Sequence, residues 1–446
     1  VTSAKSEALA VDVLVVGGGP AGLATAIALR THGGLEVAVL DRCGAAASVG
    51  ETLAPGTRGL LEALGVWSDF EAQGHLPAYG TSAAWGQPEP AKRDFVMMPF
   101  GCGWHLDRAR FDALLARRAE TLGVVRLQAG LRGIARSADG WRVHDTGMPA
   151  RTHTARFVVD ASGRSSCLAR RVGARLHFLD RQVAALGEFA LPDDAAVDQL
   201  TLVEAFEGGW SYSVRIPGDR LMVAILGDGD AARTAGLFTD AGWATSLEAL
   251  PYTRRRLSGS RRRGALRRVA AHSARLDRCM GDGWLAVGDA AASHDPLSGS
   301  GIPRALDGGL RAARAIRRSL LADDRAALDE YAHNHATDYA RYMHTHAQYY
   351  AIEQRWPTQP FWRRRQRRIE LHPLQRLQHV KDHRLPVPPA FLLDLDLHAL
   401  LVSASRPRPA HELVAEVARD PADNLQIVLG LQWLLEIGAL RVVDQD

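Results

Sequence analysis

Lysine is nearly missing from this 446-residue chain: only Lys5, Lys92 and Lys381 occur among 54 basic residues, and arginine supplies the rest. Any chemistry that depends on lysine must use one of these three. Cysteine is almost as scarce. Cys43, Cys102, Cys167 and Cys279 are far apart and form no CxxC pair, which argues against zinc and a disulfide framework and suits a reducing cytoplasm. No apolar run reaches the roughly 18 residues of a spanning helix, and the opening Val1-Thr-Ser-Ala-Lys5 carries no signal pattern, so a cytoplasmic protein without a membrane partner is expected. A large charge of one sign is missing too, because 50 acidic residues bring the formal charge to +4, too little to argue for nucleic acid. The remaining composition, 46% hydrophobic and 7% aromatic, is that of a globular protein long enough for two or three domains.

Against that background one stretch stands out. An apolar run from Val11 to Val16 reads as a buried parallel strand, Gly17-x-Gly19-x-x-Gly22 as a tight turn, and an Ala-rich helix follows at once. Gly17 permits the turn, Gly19 lets the backbone approach a pyrophosphate, and Gly22 lets helix and strand pack closely, with the positive helix end toward the phosphates. Nineteen positions beyond Gly22, Asp41 closes a second apolar run, Leu35 to Leu40, where a carboxylate meets a ribose hydroxyl, with Arg42 beside it.

Further motifs follow in order. Gly50-Glu-Thr-Leu-Ala-Pro-Gly56 is a polar loop feeding a helix from Thr57, a candidate cap, to Gly65. Tyr79 to Phe100 alternates like strands. Asp107 is a candidate N-cap for a helix with Arg108 at its exposed start and Phe111, Leu114 and Leu115 on its apolar face. Phe157-Val-Val-Asp160 ends a strand at a Ser/Gly turn. From Val183 to Val269 long alternating segments predict a mixed or antiparallel sheet with a hairpin at Gly218-Asp219. Trp210 and Tyr212, two apart, share one of its faces, either as an aromatic pocket wall or as core. The arginines at 254 to 256, 261 to 263, 267 and 268 read by default as a solvated rim, with a docking patch for an acidic protein as the alternative. Trp284 to Val287 delivers Gly288-Asp289, and Ser298-Gly-Ser300-Gly301 starts a helix whose N–H groups face an anion.

These motifs, in this order, resemble the FAD set of the para-hydroxybenzoate-hydroxylase-like and tryptophan-halogenase-like superfamily over about residues 11 to 365. The resemblance implies an α/β fold: a Rossmann-type FAD-binding domain of glutathione-reductase type (1–78, 104–182 and 270–345) with an inserted mixed-sheet substrate domain (79–103 and 183–269). It implies that Glu51 lies in a loop lining the flavin, that Arg108 touches the flavin, that Asp160 holds its segment against the nucleotide, and that Asp289 meets the ribitol chain. The helix beginning at Ser300 and Gly301 would then stabilise negative charge on the reduced ring. Within the superfamily, Gly103-Trp-His-Leu-Asp-Arg108, Gly209-Trp-Ser-Tyr212, Asp295-Pro-Leu-Ser298, Arg355-Trp-Pro357 and Phe361-Trp-Arg-Arg-Arg365 resemble the group of enzymes that hydroxylate protein tryptophan during quinohemoprotein amine dehydrogenase (tryptophylquinone) biogenesis. The implied reaction is oxygen transfer from a flavin C4a-hydroperoxide to an indole, with dioxygen as cosubstrate, NAD(P)H or a separate flavin reductase as electron source, and Glu51 and His294 orienting substrate or moving protons.

The near alternative is a flavin halogenase. Halogenases of the resembling family use a lysine after the GE-[ST] block and a W-x-W-x-I-P motif; here only Lys92 follows the block, and Trp210-Ser-Tyr-Ser-Val-Arg-Ile-Pro217 replaces the motif. Another class is a flavin redox sensor that binds DNA. After a linker over 346–389, ending at Pro386 to Pro389, the helices Leu395 to Val402, His411 to Ala418 and Leu425 to Ile437 and the strand Leu440 to Val443 resemble a winged helix over 390–446. Leu425 to Ile437 has no lysine or arginine, so a protein or leader-peptide partner is favoured over nucleic acid. His333, His335, His344 and His346 do not converge on one helix face as ligands must, and no metal site is expected.

Overall fold

The computed structural model of the chain describes residues 8–42, 52–95, 101–366, 371–380, 385, 392, 395–418 and 424–443, the side chains at 344, 425, 426, 429 and 436 excepted. It forms two compact units, Val1–Ala332 with Ile352–Trp362, and His333–Ala351 with Arg363–Asp446.

In the first unit Ala10–Val16 is the central strand of a sheet and is flanked by Thr152–Asp160 and Val37–Asp41, with Trp284–Ala286 and Val125–Gln128 outside them, all parallel. Val13, Leu14 and Val15 are fully buried, as a parallel strand covered on both faces must be. The strands Leu131–Ser137 and Gly140–Asp145 add an antiparallel meander to the edge of Thr152–Asp160. Helix Pro20–Thr31 crosses helix Gly301–Leu321 so tightly that a Cβ on Gly309 would lie 2.7 Å from Ala24 Cβ and 2.9 Å from the Ala21 carbonyl. The two helices therefore start from fixed positions at the same end of the sheet.

A second, seven-stranded sheet runs Arg261–Ala270, Gln182–Ala190, Arg220–Asp228, Gly209–Ile216, Leu200–Phe206, Gly80–Ala84, Ala91–Asp94. Only the contact between Leu200–Phe206 and Gly80–Ala84 is parallel, so the expected mixed sheet and its hairpin are present. Alternation divides its side chains between two faces. Ala185, Leu221, Val223 and Ile225 pack under three short helices through Ala232, Leu237, Trp243 and Leu250. Glu204 lies on that face and receives the Tyr252 and Thr253 amides at 3.0 and 2.8 Å, anchoring the start of helix Pro251–Arg256. The opposite face, carrying Thr201, Tyr212, Met222 and Glu188, meets the FAD-type domain. Arg220 there bonds Asp107 at 2.9 Å, and Thr201 Oγ1 lies 3.2 Å from Thr52 Oγ1.

Two local expectations change. Asp107 does cap helix Arg108–Thr121, accepting from the Arg110 amide at 3.1 Å. Thr57 caps nothing; its hydroxyl donates backward to the Ala54 carbonyl at 2.8 Å. In the second unit the helices Leu397–Ser403, Ala410–Val417 and Asn424–Glu436 and the strand Leu440–Val443 form close to their expected places around Leu377, Leu400, Leu413, Ile427 and Leu434. The expected linker over 346–389 is not all linker: Arg376–His379 is the central strand of a three-stranded antiparallel sheet between Arg408–Pro409 and Leu440–Val443. The module thus begins upstream of residue 390 and contains a strand that the winged-helix order lacked. Helix Ala326–Ile352 is shared between the two units, its residues up to Ala332 belonging to the first and His333–Ala351 to the second.

Candidate functional site

The C-terminal ends of the parallel strands bring the separated motifs together. The Gly17 amide donates to Leu40 O at 2.9 Å, the Ala161 amide to Val16 O at 2.8 Å, and the Val287 amide to Asp160 O at 2.9 Å. The loops after all four strands are therefore pinned side by side.

Each glycine of the first turn has a distinct constraint. Gly17 adopts φ +118° and passes the next loop so closely that a Cβ would sit 2.2 Å from Ala161 O. A Cβ on Gly22 would sit 2.0 Å from Gly17 O. A Cβ built on Gly19, by contrast, meets nothing within 4 Å among the described residues, which leaves open backbone where a pyrophosphate approaches. Helix Pro20–Thr31 has no side-chain cap and no acidic residue in its first turn, so its positive end is not neutralised locally. The Asp41 carboxylate lies against the same turn: a Cβ on Gly18 would be 2.4 Å from its Oδ2. Arg126, which sequence reasoning did not single out, stands 3.9 Å from Asp41 and bonds Glu120 at 2.6 Å. Arg42 is exposed, its side chain passing close over Gly130.

Asp160 is fully buried, and its oxygens are taken up by the protein. Oδ1 accepts from the Ser162 amide and hydroxyl at 2.9 and 2.6 Å, and Oδ2 from the Leu168 and Ala169 amides at 2.9 and 2.7 Å. Burial pushes its pKa up while those four hydrogen bonds pull it down. Its geometry is that of a brace for the turn at Ala161, the residue packed on Gly17.

The second half of the site follows Trp284–Ala286. Gly288 takes φ +61° and passes within 2.7 Å, measured from an added Cβ, of Ala21 Cβ on the first helix. Asp289 beside it is a third exposed, with Arg164 Nε at 3.4 Å and Arg304 Nη2 at 3.8 Å. Arg164 also donates to the His272 carbonyl and, at 2.9 Å, to the His294 carbonyl, so it ties the Asp160 turn to the Asp289 loop. It follows the Asp160-Ala-Ser-Gly163 turn directly, a position that a reading confined to the motif passes over. His272, next to Arg164, is driven down to a pKa of about 4, chiefly by burial and then by the guanidinium. Helix Gly301–Leu321, of 21 residues, starts at Ser300 with no side-chain cap and no acid in its first turn, and among the described residues nothing lies within 4 Å of a Cβ built on Gly301. Ser300 Oγ instead meets Ser298 Oγ at 2.9 Å. Two open helix starts, an open glycine and two carboxylates at one end of one sheet fit a dinucleotide with a redox ring that gains negative charge.

The remaining candidates are more dispersed. Arg108 is largely buried and holds Asp112 at 3.1 Å across one helical turn. Glu51 lies outside the described residues. His294 is 7% exposed, following the strand Ala292–Ser293. Trp210 and Tyr212 do share a face, with rings 6.3 Å apart, but Trp210 is 1% exposed and packs edge-on against Trp85 at 6.3 Å. Trp85 in turn meets Trp362 at 5.2 Å, so Trp210 belongs to a packed indole cluster and Tyr212 is the more accessible of the pair. One group within the Gly103 to Arg108 motif was given no role of its own: fully buried His105, in register with Thr52, places Nε2 3.4 Å from Thr201 Oγ1. It joins the strand after Glu51 to the seven-stranded sheet. No three-residue cluster of histidine, cysteine, aspartate and glutamate suited to a metal occurs among the described residues.

Comparison with known proteins defines the class. Residues 10–347 match the family described as FAD binding domain, and the chain belongs to it, as an FAD-dependent oxidoreductase of the monooxygenase and halogenase type. The chain is 31% identical over 375 residues to the putative FAD-dependent oxidoreductase LodB of Marinomonas mediterranea, covering 83% of this chain and 99% of that one. It is 27% identical to the 1H-pyrrole-2-carbonyl-[peptidyl-carrier protein] brominase of Pseudoalteromonas luteoviolacea, covering 72% and 80%. Among solved structures, the myxobacterial chondrochloren halogenase CndH superposes with TM-score 0.73 at 25% identity, over 80% of this chain and 86% of that one. Two structures match over nearly the whole chain and establish the fold alone: the flavin-dependent halogenase CmlS (TM-score 0.72, 21% identity, 99% and 96% covered) and the peptidyl tryptophan dihydroxylase QhpG (0.63, 24%, 97% and 100%). The expected special nearness to the protein-tryptophan hydroxylases is thus corrected. That group supplies one neighbour, with a lower TM-score than the two halogenases. The C-terminal region is covered in a halogenase as fully as in the dihydroxylase.

Proposed function

We propose that the chain is an FAD-dependent monooxygenase that hydroxylates an aromatic side chain, tryptophan by resemblance, carried on a peptide or protein. The observation that carries this choice over halogenation is where Lys92 lies. It occupies the exposed edge strand Ala91–Asp94 in register with Ser82, which is itself paired with Leu202 on the helix-covered face of the sheet. The face that meets the FAD-type domain carries Thr81 and Thr201 instead, and no lysine among the described residues. Among the described residues the relay that the resembling halogenases use therefore has no lysine on this face.

When bound, the flavin supplies the reaction with dioxygen; NAD(P)H or a separate reductase supplies the electrons. The chain's own residues bind and orient. Asp41 takes the ribose, the Gly17 to Gly22 turn and its helix take the pyrophosphate, Asp289 takes the ribitol chain, and the helix from Ser300 and Gly301 faces the ring. Arg108 flanks the ring, with Tyr212 on the substrate side. Glu51 and His294 orient the substrate or move protons. The second unit contacts the protein or leader peptide.

Halogenation is the second reading, favoured by the halogenases among the relatives and neighbours. One experiment separates the two. Reduced enzyme, an indole-bearing peptide, dioxygen and excess bromide should yield a product heavier by oxygen alone. A brominated product would establish the second reading in place of the first.

A further inference from the structure

We infer that Tyr212, Trp210, Trp85, Trp362 and Trp356, all in the first unit, form a conduit for single electrons from the protein surface to the side of the seven-stranded sheet that meets the FAD-type domain. It reduces a one-electron oxidant that arises in the site, an oxygen radical or the light-excited flavin, with an electron drawn from a thiol in solution. The inference needs FAD binding, and it holds for hydroxylation and halogenation alike.

The five rings touch in sequence. Tyr212 stands opposite Val203 in the sheet, two residues along from Thr201, whose hydroxyl reaches Thr52. From Tyr212 the ring centres follow at 6.3 Å to Trp210, 6.3 Å to Trp85, 5.2 Å to Trp362 and 5.9 Å to Trp356. All four spacings fall in the range of about 4.5–7 Å over which aromatic pairs interact. Trp210 and Trp362 are fully buried, whereas Trp356 at the outer end is half-buried beside exposed Pro357 and Thr358. Indole and phenol are the aromatic side chains most readily oxidised by one electron, and rings this close exchange electrons without an intervening carrier.

Packing alone does not call for this composition. The helix-covered face of the same sheet is filled through Ala185, Leu221, Val223 and Ile225, with one indole, Trp243. The inner face gathers four of the chain's ten tryptophans into one line of contact. Their positions are also fixed by polar groups. Fully buried Glu353 accepts from the Gly86 amide at 2.8 Å and from Arg355 at 2.6 Å, and Arg355 donates to the Ala84 carbonyl at 3.1 Å. Trp85 is thereby held on both sides. Trp362 Nε1 donates to the Phe206 carbonyl at 3.0 Å. A buried carboxylate is destabilising unless its partners are complete, and here those partners immobilise one ring of the line. Rings held in this way rearrange little when an electron leaves, which favours rapid transfer. Arg355 also lies 4.4 Å over Trp356, where a lone cation would oppose oxidation of the ring; bound to Glu353, it brings no net charge.

The cycle balances. The oxidant takes an electron from the inner end and a proton from water, each ring is refilled by its outer neighbour, and Trp356 is left one electron short. Its indole N–H releases a proton to water. A thiol then returns an electron and a proton, and two such thiols join as a disulfide. All five rings end unchanged.

The test illuminates the full-length, FAD-loaded protein with blue light, without oxygen and with dithiothreitol as donor, and follows the bleaching of flavin absorbance. The parent should bleach steadily. Trp85→Phe and Trp356→Phe should each bleach about tenfold or more slowly, a barrier higher by about 1.4 kcal/mol, with FAD content unchanged. Trp356→Tyr should recover most of the parental rate, because a phenol passes electrons where a phenyl ring of the same shape does not. A packing role would give Phe and Tyr the same result. Trp243→Phe, on the helix-covered face, should behave like the parent. Should Trp85→Phe lose FAD, half-buried Trp356 carries the comparison through its Phe and Tyr variants. A parent that does not bleach, Phe variants that match it, a Tyr variant no faster than Phe, or an equal loss in Trp243→Phe would each overturn the inference. The assay contains no dioxygen, peptide or bromide, so its failure leaves the choice between hydroxylation and halogenation untouched, and the reverse holds too.

Discussion

Replacing Gly19 by valine should abolish FAD binding while leaving the apoprotein as stable as the parent. The residue has φ −78° and ψ −178°, extended backbone that valine adopts without strain, and a Cβ there meets nothing within 4 Å among the described residues. A change that touches no packed group costs about 0.5 kcal/mol or less. The branched side chain would instead fill the space through which a pyrophosphate reaches the first amides of helix Pro20–Thr31. Charge-assisted hydrogen bonds contribute about 1.5–3 kcal/mol each, so losing two weakens binding by about a hundredfold to ten-thousandfold. The neighbouring glycines should behave in the opposite way. Gly22→Ala drives a Cβ to 2.0 Å from Gly17 O, and Gly17→Ala adds a φ of +118° to a 2.2 Å clash with Ala161 O. Both clashes are with backbone that cannot rotate aside, and overpacking of this kind costs about 1–3 kcal/mol. Thermal melting of the three apoproteins beside FAD titration by flavin fluorescence separates the effects. A Gly19→Val protein that takes up FAD with parental affinity, or melts as low as Gly22→Ala, would refute the assignment of Gly19 to ligand approach.

Three further outcomes are expected. Burial lowers the His105 pKa to about 4, below its ordinary 6.5, so between those values the unfolded chain binds the proton first. Stability is then complete above about pH 6.5 and falls toward pH 4, by about 2 kcal/mol at pH 5 for this residue. His105→Gln should flatten the fall in melting temperature between pH 7 and 5, and a parental slope would contradict the reasoning. Asp160→Asn replaces an oxygen that accepts N–H donors by an amide that donates, at a cost of about 2–4 kcal/mol; an unchanged apoprotein melting temperature would show that the brace is unnecessary. Deleting residues from 371 onward should preserve FAD content but weaken pull-down of the protein substrate. Deletion from 390 should be less soluble, because Arg376–His379 and the buried Leu377 lose both neighbouring strands. Equal solubility of the two truncations would count against that strand as part of the module.

The sequence was informative wherever structure follows from neighbouring residues. Ala10–Val16, the glycine turn and Pro20–Thr31 are local, and the exclusion of a side chain at Gly22 is met by a contact inside the turn itself, with Gly17 O, whereas that at Gly17 comes from the distant Ala161. The Asp107 cap and the Gly218-Asp219 turn were readable for the same reason. What stayed hidden depends on pairing across long separations. Arg164 joins His272 and His294, more than 100 positions away, and an arginine in a chain full of them carries no local mark. His105 reads as one polar residue in a short strand until Thr52 and Thr201 arrive beside it from opposite directions. Arg376–His379 was concealed by its length, since four residues give too little alternation to separate a central strand from a linker.

The choice of chemistry rests on a similarly non-local fact. Coverage of the C-terminal region cannot decide it, because CmlS and QhpG both match nearly the whole chain. Lys92 follows the Glu51 loop in sequence much as a relay lysine would, and sequence position alone leaves it available. Strand parity removes it: residues alternate faces, so pairing with Ser82 assigns Lys92 to the side away from the FAD-type domain. A slip of one residue would reverse that assignment. The register resists the slip at the end of the pair, since the Phe95 amide donates to Tyr79 O at 2.7 Å and a Cβ on Gly80 would stand 2.2 Å from Arg93 O. Only glycine at position 80 lets the two strands approach so closely, and a shift of one residue would bring Tyr79 or Thr81, each with a side chain, to that point of contact. The glycine that closes this edge thereby also keeps the lysine on the helix-covered face of the sheet.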